Sequence, residues 1–153
     1  MSIEYVYKFE KYDEAVDEVY PLLILNQKEV NIEKTLKPDL ALYKNMSETG
    51  HFRALTIRIK DTCELVGYML VLVNSSLNDA GMNVASIHAM YIRPEHRGLH
   101  IFTKCLSWLE EELKKKSINE LSFTLSTMSK ANKLLEFCNY KLTDVIYSKN
   151  LGA

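Results

Sequence analysis

Apolar positions change period several times along this chain, and each change marks an element. Residues 2–9 (SIEYVYKF) alternate as a first strand. From Tyr12 to about Asn31, residues Ala15, Val16, Val19, Leu22, Leu23 and Val30 recur at steps of three and four, the period of a helix burying one stripe. Pro21 falls inside that run and has no N–H to give, so it is expected to kink or split the helix. A second helical piece follows, with Pro38 near its start, Leu40, Tyr43 and Met46 on one face, and a stop near Gly50. The period then falls to two. Leu55, Ile57 and Ile59 alternate with Ala54, Thr56 and Arg58, which predicts a half-buried strand. Lys60–Glu64 suits a hairpin turn, and Leu65–Val73 (LVGYMLVLV) is a nearly continuous apolar strand from the middle of a sheet. Asn74–Asn83 is a polar loop, and Val84–Ile92 is a third core strand.

The second half is led by an amphipathic helix after Gly98, with Ile101, Cys105, Trp108, Leu109 and Leu113 on one face. Glu110–Lys114, Glu111–Lys115 and Glu112–Lys116 are spaced as i,i+4 pairs with the acid first, each worth about 0.2–0.5 kcal/mol. That charge run predicts a solvated helix face. A strand over Glu120–Ser126, a short helix over Ser129–Cys138 and a final strand over Tyr140–Leu151 complete the pattern. No repeat, low-complexity tract or linker interrupts it, so residues 1–153 are expected to form a single domain.

Composition narrows the class. With 47% hydrophobic and 25% charged residues the chain can bury a proper core, and its net charge of −1 gives no reason to expect a nucleic-acid-binding surface. No run approaches the roughly 18 apolar residues of a membrane span. The acidic start, MSIEYVYKFEKYDEAV, has no signal-peptide core, so a cytoplasmic location is expected. Cys63, Cys105 and Cys138 are odd in number and far apart, and two of them sit in apolar helical patterns. They read as buried small hydrophobes rather than as a disulfide framework or zinc site. His96 and His100 are four apart, but no carboxylate or cysteine completes a ligand set, so no metal is expected.

One stretch carries chemistry. In VASIHAMYIRPEHRGLHIFTKCLSWLEEELKKK (84–116) an apolar strand runs into Arg93-Pro94, a turn bears Arg97-Gly98, and the long helix starts at once. The first N–H groups of a helix have no partner within it and lie at its positive end, so such a junction accepts phosphate oxygens. Arg97 adds a fixed cation there.

Met90-Tyr91-Ile92-Arg93-Pro94-Glu95-His96-Arg97-Gly98 resembles the strand end and pyrophosphate loop of the GNAT superfamily of acyl-CoA N-acyltransferases. The order of elements over nearly the whole chain is similar to that superfamily as well. Ala131–Tyr140 resembles its short helix ending in a Gly-Phe or Gly-Tyr pair, and TDVIYSKNL its closing strand. The PDLALYK and VGY stretches are similar to small phage-encoded members. The resemblance implies an α/β (α+β) fold: a mixed, mostly antiparallel sheet flanked by helices, with one splayed strand pair for the cofactor. The superfamily loop reads Arg/Gln-x-x-Gly-x-Gly/Ala, which here is Arg97-Gly98-Leu99-His100-Ile101-Phe102. His100 and Phe102 replace residues that let the backbone approach a diphosphate. Phe102 is expected to turn into the core, and His100 either loosens cofactor binding or donates a ring N–H to a phosphate. Leu135 stands where the family carries a general-acid tyrosine, and Asn139 stands for a glycine.

The resemblance implies acetyl-CoA as co-substrate, lying between strands 84–92 and 120–126, and an amine acceptor. Backbone groups of Met90, Tyr91 and Ile92 would meet the pantetheine, and residues 97–102 the diphosphate. An amine must be neutral to attack, so a base is useful. His88, two residues before Met90, is the candidate, with a satisfied rim or core histidine as the alternative. Ser86, in the position of a family glutamate, would at most hold a water. Tyr147, Tyr140, Tyr91 and solvent are candidate proton sources for the leaving thiolate, with Tyr147 favoured because it lies on the closing strand. Arg53, Arg58 and His51 either shape an acceptor groove or are solvated strand ends. Glu29, Glu33 and Asp79 either attract a cationic amine or are surface charges. Three functions follow: an N-acetyltransferase, a relative of the fold that has lost catalysis and serves as a binding or inhibitory protein, and a homodimer pairing through its final strand, which is compatible with either.

Overall fold

A computed structural model describes residues 2–30 and 36–152. Glu33 lies outside them. In chain order the elements are β1 (Tyr5–Glu10), α1 (Tyr12–Val30), α2 (Leu40–Glu48), β2 (Phe52–Ile59), β3 (Leu65–Ser75), β4 (Asn83–Ile92), a single 3-10 turn (Pro94–His96), α3 (Leu99–Lys115), β5 (Glu120–Phe123) and α4 (Ala131–Phe137). The sheet runs β1-β2-β3-β4-β5. Its first three pairings are antiparallel, whereas β4 and β5 are parallel and joined by the α3 crossover.

Both faces of the sheet are covered. On one side Ile101, Phe102, Cys105, Leu106, Leu109 and Leu113 of α3 and Leu135 of α4 pack on Leu55, Ile57, Met69, Val71, Ala85 and Ile87. On the other, Ala15, Val19 and Leu22 of α1 pack on Phe52, Ala54, Tyr68, Leu70 and Tyr91. β2 is therefore buried on both faces through its centre, not half-buried as its alternation predicts. Trp108 leans out of the α3 stripe to pack against Phe9 and Tyr7 of β1, with ring centroids 5.2 and 6.5 Å away.

α1 runs through Pro21 without a break. Pro21 and Asp17, whose carbonyl loses its helical partner, both lie on the exposed side, where water can satisfy the orphaned oxygen. Asp39 caps α2, its carboxylate accepting the Leu42 N–H at 2.9 Å. The charge run on α3 pairs at three-residue spacing, Glu111 with Lys114 and Glu112 with Lys115, and not at the expected four. Glu110 instead accepts the Tyr140 hydroxyl at 2.6 Å. Asn139 takes the left-handed conformation (φ 67°) that ends α4 where the family pattern has glycine.

Two expected elements shrink, and one does not form. β5 stops at Phe123 and α4 covers Ala131–Phe137. Residues 141–152 contain no strand, although their composition favours one. Alternation confers the propensity, but a strand needs an edge to pair with, and this segment leaves the fold after Tyr140.

Candidate active site

The site begins with a slip in the register of β4. Val71 lies opposite Ile87 and Leu70 opposite Ala89, so His88 is an extra residue with no partner on β3. Such a bulge reverses which residues face which side of the sheet. Before it, Ala85 and Ile87 belong to the α3-side core; beyond it, Met90 and Ile92 do, while Ala89 and Tyr91 pack toward α1. Alternation places exposed His88 on the α1 side, next to Ala89.

The parallel ladder to β5 ends at the same point. Its last pair is Ile87 with Phe123, closed by the Thr124 N–H donating to the Ile87 carbonyl at 2.8 Å. From His88 to Ile92, β4 keeps β3 on one side and has no strand on the other among the described residues. The Arg93 N–H donates to the Val66 carbonyl at 2.8 Å, and the Tyr91 carbonyl presses so close to Gly67 that an added Cβ would sit 2.8 Å from it. Odd-numbered residues thus bond toward β3, and Met90 and Ile92 turn their backbone groups into the gap. The Ile92 carbonyl accepts from Arg97 Nε at 2.7 Å, which leaves the polar backbone of Met90 to meet a ligand.

At the end of the gap stands the N-terminus of α3. Gly98 precedes it in extended conformation, and no side chain caps the helix. A Cβ on Gly98 would meet nothing within 4 Å, so the chain's own packing does not demand glycine there. The open space over it lies beside the unpaired amides of the first turn. Phe102 is 2% exposed and turned into the α3-side core, while His100 is exposed. The substitutions therefore leave the gap open. It forms a cleft of about 100 Å³, bounded by Met90, Tyr91, Gly98 and Phe102, by Asn26 and Glu29 of α1, and by Ser129 and Lys130 before α4. That is room for the narrow end of an extended ligand whose remainder lies on the surface.

The sequence matches the Acetyltransferase (GNAT) family over residues 16–140, which span the cleft and both faces of the sheet. This chain belongs to the GNAT acetyltransferase family. No curated protein sequence matches it. Its fold is similar to that of a ribosomal-protein-alanine N-acetyltransferase from Brucella melitensis biovar Abortus 2308, with TM-score 0.76 and 17% identity over 97% of this chain and 100% of that one. An aminoglycoside acetyltransferase from an uncultured soil metagenomic sample, in complex with sisomicin, has TM-score 0.73 and 12% identity, covering 96% of each chain. An aminoglycoside N-acetyltransferase in complex with CoA has TM-score 0.72 and 11% identity, covering 99% of this chain and 97% of that one.

Of the residues expected at a GNAT site, Met90, Tyr91, Ile92, Arg97, Gly98 and Phe102 all border the cleft. Arg97 is tied down there: it reaches the Ile92 carbonyl, the Glu29 carboxylate at 2.6 Å and the face of Tyr91 at 5.2 Å. Ser86 shares a hydroxyl contact of 3.3 Å with Ser122 across the β4–β5 pair. Tyr147 is 92% exposed on the unpaired C-terminal segment and is not brought to the cleft within one chain. Tyr140 stacks edge-on against Phe123 and donates to Glu110; burial, then that carboxylate, push its phenol well above the usual range.

Other candidates fall outside the cleft. Arg58 is held by Glu10 and Glu18, Arg53 bonds to the Phe52 carbonyl, and His51 Nδ1 lies 3.0 Å from the Val73 carbonyl. The His96 ring bonds to the Tyr5 hydroxyl at 2.9 Å. Burial pushes the Cys105 thiol up to about 12, in keeping with an inert core residue. Asn26 at the cleft carried no distinguishing sequence signal; Glu29, expected as an acid that attracts an amine or as a surface charge, arrives on α1 at the cleft and pairs with Arg97, 68 residues away.

Proposed function

We propose that this chain transfers an acetyl group from acetyl-CoA to an amine of a small molecule, peptide or protein. One juxtaposition carries the reading. The β4–β5 ladder ends where His88 bulges, and the gap runs directly to the uncapped N-terminus of α3. A ligand that is an amide-bearing chain at one end and a diphosphate at the other matches that sequence of surfaces. Bound acetyl-CoA supplies an activated acyl carbon. The chain's own residues do the rest.

The Met90 backbone pairs with the pantetheine amide as a missing strand would, and the amides of residues 99–101 receive the diphosphate beside Gly98. His88, exposed at the bulge and outside the lining of the cleft, takes the proton of the incoming amine, directly or through water; a positioned base contributes roughly 10²–10⁴-fold. Solvent or Tyr91, which borders the cleft, protonates the departing thiolate in a single chain, since Tyr140 is committed to Glu110 and Tyr147 stands off the fold. A binding protein without turnover is the second reading. Leu135, buried where the family pattern has a tyrosine, favours it.

Titration with acetyl-CoA during thermal unfolding tests the first step. At 100 times the dissociation constant the ligand adds about 2.7 kcal/mol, a readily measured rise in melting temperature. Product formation with a panel of amines then separates the two readings. No thermal shift at saturating acetyl-CoA would overturn the first.

A further inference from the structure

Two neighbouring side chains tie the turn between β4 and α3 to different elements. Arg97 is held by the Ile92 carbonyl and by Glu29 of α1. His96, one residue earlier, reaches the first strand of the sheet. Its Nδ1 shares a hydrogen bond of 2.9 Å with the hydroxyl of Tyr5, 91 residues away on β1, and the two rings meet edge-on with centroids 5.8 Å apart. Tyr7 lies two residues on along the same face of β1 and adds a longer contact, its hydroxyl donating to the Ile101 carbonyl in the first turn of α3 at 3.4 Å. Burial pushes the Tyr7 phenol up to about 12, so it stays protonated and remains a donor at neutral pH. Phe9, next on that face, packs on Trp108 farther along the helix. One face of one strand thus meets α3 just before its start, in its first turn and in its middle.

Between the contacts at His96 and Ile101 the chain is loosely supported. A Cβ on Gly98 would meet nothing within 4 Å, and His100 is exposed. Glycine loses more conformational freedom on folding than any other residue, so the course of the backbone here is set by what holds it on either side. We infer that Tyr5, acting through His96 and helped by Tyr7, is a positioning residue that fixes this turn in the conformation that receives the diphosphate of CoA. It touches no ligand itself. The inference rests on the acetyltransferase reading for what the turn receives, and on the geometry alone for how the turn is held. Arg97 fixes the segment toward α1 and β4, and the Tyr5–His96 bond fixes it toward β1. The benefit is preorganisation: amides already held in one arrangement need not be ordered when the ligand arrives, so affinity is not spent on ordering them.

Tyr5→Phe tests this, because it removes the hydroxyl and keeps the ring that meets His96. The amides of His96, Arg97 and Phe102 bond to carbonyls within the segment, those of Arg93, Pro94 and Gly98. In the ligand-free variant their hydrogen exchange should quicken several-fold while exchange in β3 stays as in the wild type. The CoA dissociation constant, from calorimetric titration, should rise by about three- to tenfold, the net worth of one hydrogen bond. With an accepted amine, KM for acetyl-CoA should rise while kcat stays within about twofold, since a fixed turn serves ground state and transition state alike. His96→Phe should reproduce these effects, and the double variant should be no worse than either single one, because both break the same bond. Exchange that quickened equally in β3 would make Tyr5 a contributor to global stability only and overturn the inference, as would additive losses in the double variant. A wild-type chain that bound no CoA would defeat the acetyltransferase reading and, with it, the role given to Tyr5 in binding. Wild-type binding with unchanged CoA affinity in Tyr5→Phe would defeat this inference alone.

Discussion

Arg97, in the turn before α3, and Glu29, in the last turn of α1, form an ion pair with 2.6 Å between Nη2 and Oε2. The pair lies at the mouth of the cleft, and Arg97 is held further by the Ile92 carbonyl and Tyr91. Its guanidinium is therefore positioned by the protein but shared with an acid. An arriving diphosphate would meet one positive charge and one negative charge. Glu29→Gln should remove the opposition and tighten CoA binding several-fold, in line with about 1 kcal/mol for a partly exposed pair. Arg97→Ala should weaken it by at least tenfold, as loss of a charged hydrogen bond costs about 1.5–3 kcal/mol. Calorimetric titration with CoA at fixed ionic strength measures both. Weaker binding in Glu29→Gln would mean that the acid's chief effect is to orient Arg97.

His88 sits at the bulge, one residue past the last β4–β5 pair, and is exposed. His88→Ala should lower kcat by roughly 10²–10⁴-fold and leave the CoA dissociation constant within about twofold. Steady-state kinetics with an accepted amine, set beside the same CoA titration, checks this. Unchanged turnover would remove His88 from the chemistry.

Most of the fold could be read from the chain because periodicity reports local geometry. The two-fold alternation of β1 and β2, the apolar runs of β3 and β4 and the stripe of α3 each map to one element. The bulge was present in the pattern too. Ala85 and Ile87 are odd-numbered and Met90 and Ile92 even-numbered on the same face, but apolar residues on both faces of a central strand hide the change of phase. The Glu29–Arg97 pair has no local signature, because its two residues are 68 apart in sequence and come together only in the folded chain. Residues 141–152 failed in the opposite way. Their strand propensity is real, but propensity does not say whether a segment lies along an edge, and residues 141–152 do not lie along the open edge of β5.

Phe102 occupies a family position for small residues, yet its ring is part of the α3-side core as well as the cleft wall. Restoring a small side chain would leave a hole beneath α3. Phe102→Ala should therefore cost about 3–5 kcal/mol of stability. Urea unfolding followed by circular dichroism reads the loss directly. A cost below about 1 kcal/mol would mean that the core closes over the space.

Gly67 faces Gly98 in function though not in space: one holds β3 close to β4, the other leaves room for a ligand. A Cβ at Gly67 would lie 2.8 Å from the Tyr91 carbonyl and 3.1 Å from side-chain carbons of Ile57 and Ile92. Gly67→Ala should push β4 away at its cleft end, costing about 1–3 kcal/mol and weakening CoA binding. Gly98→Ala, with open space around its Cβ, should leave stability within about 0.5 kcal/mol while it too weakens CoA binding. If both variants kept wild-type CoA affinity, the cleft between them would not be the cofactor site.

Glu10 is buried at the end of β1, where it accepts hydrogen bonds from Arg58 and the Thr56 hydroxyl. Burial alone would raise its pKa, but the bonds from Arg58 and Thr56 and the Arg58 charge outweigh it, and the carboxyl is held below its ordinary 4.5. With the folded value below the unfolded one, the ionised form favours folding. That contribution is complete above the unfolded value and is lost as pH falls through the lowered folded value. Urea unfolding of the wild type should therefore show stability declining from about pH 5 downward. Glu10→Gln should start from lower stability, because Arg58 loses a buried anion while keeping Glu18 and the Cys63 carbonyl, and should show a shallower acid decline. Parallel acid limbs for the two proteins would assign the decline to other carboxylates.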